Sequence, residues 1–272
     1  MTSTTVILTR PEHRNAMLAA RLRDSGLDVL CLPALRLVPR DVCAQQMPLP
    51  ENFDLLVFVS SHAAQSYLDR FRALRPNPVW PGHTRVATVG HASAEPLFQA
   101  GFIPDHLVMH PAAGVDGQDS EGLWGVLRPI LSDLKRVLIV RGQAGREWLG
   151  AAFEGAGMDV TRLSLYHREP VTWQYADAQM LTEALQSQKP VVFLLTSSES
   201  VDAVHANIQR LGLMSSWVQC LFVVIHERIS NHLQSILKTA GLQARYPVTI
   251  CAPSDDAIEQ AVRSSVSHFG RL

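Results

Sequence analysis

The chain has 272 residues, enough for two compact domains rather than one. A composition of 47% hydrophobic and 18% charged residues excludes a disordered chain, and apolar runs such as residues 55–59 and 221–225 are strand-sized, far short of a membrane span. A formal net charge of −1 argues against a nucleic-acid-binding surface, which carries a basic excess, but leaves room for a small polyanion met by local donors.

In chain order, residues 6–8 are β-rich and end in Thr9-Arg10-Pro11. A helical pattern follows around Met17, Leu18 and Leu22, stopped at Gly26. Further strands are expected at 29–32, 55–59 and 85–89, with a helix from about Ala63. This alternation predicts an α/β fold of parallel sheets flanked by crossover helices. Residues 36–50 and 166–172 are candidate hinges, and 111–120 is a Gly-rich polar loop entering a helix through Asp119 or Ser120 as N-cap.

The chain also repeats itself. A shift of 131 residues lays VILTRPEHRNAML on VLIVRGQAGREWL, so that Val6 meets Val137, Arg10 meets Arg141, Gly26 meets Gly157 and Val29 meets Val160. A shift of 137 lays Ser60-Ser61 on Ser197-Ser198. With small gaps, ATVGHASAEPLFQAGF lies over FVVIHERISNHLQSILKTAGL. The reading is two pseudo-symmetric domains, each presenting polar strand-to-helix turns at the carboxyl ends of its strands, with a large ligand in a cleft between them.

Four cysteines at 31, 43, 220 and 251 form no CxxC pair and read as reduced thiols. With no basic n-region at the start of the chain, this points to the cytoplasm. His106 and His110 stand four apart, but Pro104 and Pro111 bracket them and no third ligand follows, so no metal site is expected. No G-x-S-x-G, G-x-G-x-x-G or Walker A motif is present.

Taken together, ILTRP, FVSSHAA, VGHASAEPLFQAGF, DSEGLWGVL, VLIVRGQAGREWL, LYHREP, LLTSSES and CAPSDDAIEQAV resemble the uroporphyrinogen-III synthases over nearly the whole chain. That resemblance implies a discontinuous first domain, residues 1–37 plus 168–272, a second domain at 42–164, and hinge strands at 38–41 and 164–168. It implies cyclisation of hydroxymethylbilane with inversion of ring D, no cofactor and a monomer. Tyr166 is then the candidate for helping the leaving hydroxyl, since a phenol keeps its proton near neutral pH.

The same chemistry needs carboxylate-binding groups. Helix N-termini at Ser60, Ser61, Gly90, Ser93, Ser197 and Ser198 would supply N–H donors, and Gly142 lies in an equivalent turn. Arg10, Arg141, Arg146 and Arg228 would add charge. Residue by residue, blander roles compete: helix capping for the serines, a tight turn for Gly90, acid-paired strand ends for Arg10 and Arg141, interdomain packing for Tyr166. Arg146 is expected in the first turns of a helix. The family's second Gly-x-x-Thr turn reads His226-Glu227-Arg228-Ile229-Ser230 here, so its Gly and Thr are missing. A non-catalytic cleft protein for an anionic metabolite, and a degenerate synthase-like protein, are the competing readings of the whole.

Overall fold

A computed structural model of the chain describes residues 4–112, 119–187 and 189–269, so the centre of the loop at 111–120 lies outside the described residues. The chain divides into two compact units, Met1–Leu37 with Glu169–Leu272, and Val38–Arg168.

The first unit opens with β1 (Thr5–Leu8), α1 (Ala16–Asp24) and β2 (Asp28–Cys31). The chain then leaves along β3 (Leu35–Pro39) into the second unit. There it forms β4 (Leu55–Phe58), α2 (Ser61–Leu74), β5 (Arg85–Thr88), α3 (His91–Gln99) and β6 (Val108–Met109). After these come α4 (Ser120–Leu127), β7 (Arg136–Gly142), α5 (Trp148–Gly155) and the twelve-residue β8 (Asp159–Pro170), along which the chain returns. The first unit is completed by α6 (Tyr175–Gln186), β9 (Val191–Leu195), α7 (Ser198–Arg210) and α8 (Met214–Trp217). Last are β10 (Leu221–Val224), α9 (Glu227–Thr239), β11 (Thr249–Ile250) and α10 (Asp255–Phe269).

The first unit's sheet is ordered β11-β10-β9-β1-β2 and the second's β6-β5-β4-β7-β8-β3. The first five positions correspond in both, and the repeat extends to the register. Val6 pairs with Val29 and Val192; Val137, its equivalent, pairs with Val160 and Leu55, which are the equivalents of those partners. Helix ends repeat as well. Gly26 and Gly157 follow α1 and α5 at φ +79° and +87°, the left-handed conformation that costs glycine least. At each, the next residue's N–H returns to the last turn, Leu27 to Leu22 O and Met158 to Phe153 O.

Strands of such sheets are buried on both faces. In the first unit Ile7, Phe193 and Phe222 pack with Trp217 and Leu233 on one side, while Val6, Leu8, Val192 and Leu194 pack with Leu18, Leu22, Ile258 and Val262 on the other. Of the three residues that suggested α1, Leu18 and Leu22 are buried but Met17 is 75% exposed, so the apolar stripe is narrower than its letters imply. Residues 166–170 are extended. They continue β8, whose neighbours in the sheet are β3 and β7. Among the described residues no helix is long and apolar enough to cross a membrane.

Candidate active site

The serine pairs open helices in both units, and the sequence dictates why. Ser60 and Ser197 hold extended backbone at the N-caps of α2 and α7, and each hydroxyl accepts from the N–H three residues on, Ala63 at 3.1 Å and Ser200 at 3.0 Å. A serine there satisfies an N–H that the helix cannot. Ser61 and Ser198 are the first helical residues. From this shared start the repeats diverge. Ser197 closes a capping box with Ser200, whereas the Ser60 hydroxyl lies 3.0 Å from the Tyr166 hydroxyl.

A bulge makes that second contact possible. Arg141 pairs with Ser164 and Gly142 with Tyr166, so β8 carries one extra residue, Leu165, at this point. Without it Leu165 would stand opposite Gly142. The bulge puts Tyr166 there instead, a use of bulges common beside functional sites. Gly142 leaves room for the ring: a Cβ on it would sit 2.8 Å from Tyr166 Cε2. The His62 ring meets the phenol edge-on at 4.6 Å. Tyr166 is only 3% exposed.

Around this pair, still within the second unit, lies a cavity of about 230 Å³. Of the residues singled out from the sequence, Ser60, Arg141, Gly142, Arg146 and Tyr166 line it. Arg162, Arg168 and Glu147 also line it and were not singled out, nor was Asp119 beyond its expected N-cap role. Arg162 and Arg168 had a signal, being cationic residues on the strand that carries Tyr166. Glu147 had none, because its role depends on which arginines surround it.

The arginines differ. Arg10 is 5% exposed, and protein groups occupy its guanidinium: Asp255 at 2.7 Å, the Arg14 carbonyl, and Asn15 Oδ1 at 3.5 Å. It takes the acid-paired strand-end role, tying β1 to α10. Arg141, its equivalent, binds Glu147 at 2.5 Å and the Gly142 carbonyl at 3.1 Å, but its buried Nη2 has no hydrogen-bond partner among the described residues. Arg146 is not in the first turns of a helix, because α5 begins at Trp148 with Glu147 as N-cap. It stands just before that cap and pairs with Glu121 through both amino nitrogens, which holds the Glu121 carboxyl below its ordinary range and raises the guanidinium.

Gly90 caps α3 with φ −169°, backbone that any residue adopts, so no tight turn requires it. Ser93 is the third residue of α3 and donates its N–H to the Gly90 carbonyl. In the matching turn His226 caps α9, its Nδ1 accepting from the N–H of exposed Arg228 at 3.0 Å. The strand pairing places Ile229, buried, where Ser93 stands, and Ser230 one residue further, also buried. Asp119 caps α4, accepting from Gly122 at 2.8 Å. Among the described residues no three His, Cys, Asp or Glu side chains are grouped to hold a metal.

Residues 16–244, most of the chain, match the model of the family described as uroporphyrinogen-III synthase HemD. The chain belongs to the uroporphyrinogen-III synthase family. Among curated synthases it is 26% identical to that of Escherichia coli K12, the match covering 83% of this chain and 89% of the relative. It is 25% identical to the synthase of Salmonella typhimurium over the same shares. Two solved synthases share the fold: that of Helicobacter pylori, with a TM-score of 0.57 at 15% identity over 97% of this chain and 99% of the other, and a mutant of the Thermus thermophilus synthase, with 0.54 at 13% over 98% and 100%. This agrees with the family resemblance carried by the ordered motifs.

Proposed function

We propose that this chain closes hydroxymethylbilane, a linear tetrapyrrole bearing eight carboxylates, into uroporphyrinogen III with ring D inverted and water lost. Membership of the family places it in tetrapyrrole biosynthesis. The observation that carries the reading is the Tyr166–Ser60 hydroxyl pair, 3.0 Å apart, on a cavity lined by arginines. At about 230 Å³ the cavity is smaller than the roughly 300–1,000 Å³ of whole-ligand sites and suits one carboxylate-bearing ring.

The chemistry follows from the pair. Ser60 Oγ accepts from the Ala63 N–H, and its own hydrogen can point at the phenol oxygen. Tyr166 then has its proton to give. As the C–O bond at ring A breaks, Tyr166 protonates the departing hydroxyl, water leaves, and Ser60 stabilises the phenolate. The resulting azafulvene is attacked by the substituted carbon of ring D, giving a spiro intermediate that fragments and recloses with the ring reversed. The proton lost as that pyrrole regains aromaticity restores the phenol. No cofactor or metal enters these steps.

Everything else is positioning of a flexible polyanion in one folded shape. Arg141, Arg146 and Gly142 serve one ring in the cavity. The N-terminal turns at Ser61, Gly90 and Ser93 offer N–H groups to other carboxylates. We place the protein in the cytoplasm as a monomer. In support of the compartment, all four cysteines are free thiols. Separating the uroporphyrinogen isomers formed from fresh hydroxymethylbilane tests the reading: the inverted isomer supports it, and the uninverted isomer alone at the spontaneous rate overturns it.

A further inference from the structure

The arginine-lined cavity already contains a carboxylate of the protein. Glu147 is the N-cap of α5, yet its side chain makes no capping hydrogen bond. It turns to the cavity, where one oxygen accepts from Arg141 Nη1 at 2.5 Å and the other from Arg162 Nε at 3.2 Å. One acid thus bridges arginines from two neighbouring strands, β7 and β8.

The three side chains are unequal partners. Arg141 is 8% exposed and Arg162 33%, but Glu147 is 64% exposed. An acid so exposed is weakly held, because water competes for it and its rotamer freedom is lost on pairing. Arg141 is fixed in place with a donor to spare, since its buried Nη2 lacks a partner among the described residues, a state that buried donors rarely show without a reason. Glycines make the space for both guanidinium ends. A Cβ at Gly145 would lie 2.9 Å from Arg141 Nη2, and one at Gly150 would collide with Arg162 Nη2.

We infer that Glu147 is an internal stand-in for a ligand carboxylate: an incoming carboxylate displaces it, bridges Arg141 and Arg162, and takes up the unpartnered Nη2 of Arg141. The inference rests on the reading of the ligand as a polycarboxylated tetrapyrrole. Exchange of one carboxylate for another keeps the arginines compensated at every stage. It also limits how tightly the product is held, because Glu147 competes for the same nitrogens.

The test titrates uroporphyrinogen III, kept reduced without oxygen, into the wild type, Glu147→Gln and Glu154→Gln. Glu154 pairs with the same Arg162 at 2.7 Å but does not line the cavity, so its variant makes the same charge change while leaving Glu147 on Arg141. Glu147→Gln is expected to lower Kd about two- to fivefold and to steepen the loss of affinity with salt, with a clearly smaller change in Glu154→Gln. Glu147→Ser, whose hydroxyl suits a helix N-cap, should also tighten binding and guards against a folding artefact. An unchanged Kd in the Glu147 variants, or equal shifts in Glu147→Gln and Glu154→Gln, overturns the exchange. The isomer assay on the wild type is scored separately: the Kd shift without inverted isomer leaves the exchange standing and overturns the synthase reading instead.

Discussion

The Tyr166 hydroxyl lies 3.0 Å from Ser60 Oγ, joining β8 to the N-cap of α2 across the second sheet. Ser60 therefore has two duties, capping a helix and orienting a phenol. Ser60→Ala should lower stability by about 1 kcal/mol through the lost cap and slow formation of the inverted isomer as well. Combined with Tyr166→Phe, its kinetic effect should be strongly non-additive, since both changes break one contact. Additive rate losses in the double variant would separate the two residues.

Gly142 is kept small by the phenol ring. In Gly142→Ala the new Cβ would meet Tyr166 Cε2 at 2.8 Å and Cζ at 3.0 Å, and a ring in a bulged strand yields only by moving its hydroxyl. Overpacking of this kind costs about 1–3 kcal/mol. The expected outcome is a lower melting temperature together with a rate loss approaching that of Tyr166→Phe. Full activity in a folded Gly142→Ala protein would show that the ring position is unimportant.

Equivalent arginines should fail differently. Arg10→Ala removes a buried partner of Asp255 and should destabilise the chain by about 2–3 kcal/mol, less than a fully buried pair because Asp255 is one-third exposed. Arg141→Ala leaves behind an exposed Glu147 and the Gly142 carbonyl but no buried acid, so denaturant midpoints should move less than in Arg10→Ala while binding of uroporphyrinogen III weakens. Arg146→Ala should weaken binding at low salt and lose that effect at high salt, as screening replaces an exposed contact. The opposite ranking of stability and binding would reverse the roles given to Arg10 and Arg141.

Asp54 makes stability depend on pH. Burial works to raise its carboxyl, but the N–H groups of Arg136 and Lys135, both bonded to Oδ2 at 2.8 Å, hold it below the ordinary range. A carboxyl lowered by folding contributes stability above its unfolded value, near pH 4, and loses it as pH falls through the folded value. Asp54→Asn should therefore cost about 1–2 kcal/mol at pH 7, and the gap to wild type should close in melts below about pH 4. A gap that persists unchanged into acid would mean that its charge contributes nothing.

The architecture was legible because it is written locally. Val6 and Val137, Gly26 and Gly157, and Ser60 and Ser197 are strand, cap and turn residues whose meaning does not depend on distant parts of the chain, and the register repeats with them. The site was legible in part. Tyr166 and Ser60 stood out separately, but their contact depends on the order β8-β7-β4 and on the bulge at Leu165, which no local pattern announces. Arg146 was misplaced because α5 begins two residues after it, at Trp148. The equivalence of Arg10 and Arg141 in the repeat hid a difference in partners, Asp255 against Glu147, that only packing decides.

The most direct measurement is the isomer composition formed from hydroxymethylbilane by the wild type and by folded Tyr166→Phe, followed in time. The wild type should yield mainly uroporphyrinogen III, and Tyr166→Phe should form it about 100-fold more slowly, the lower end of what a positioned general acid contributes. Equal rates of uroporphyrinogen III formation by the two proteins, or no inverted isomer from the wild type, would contradict this mechanism.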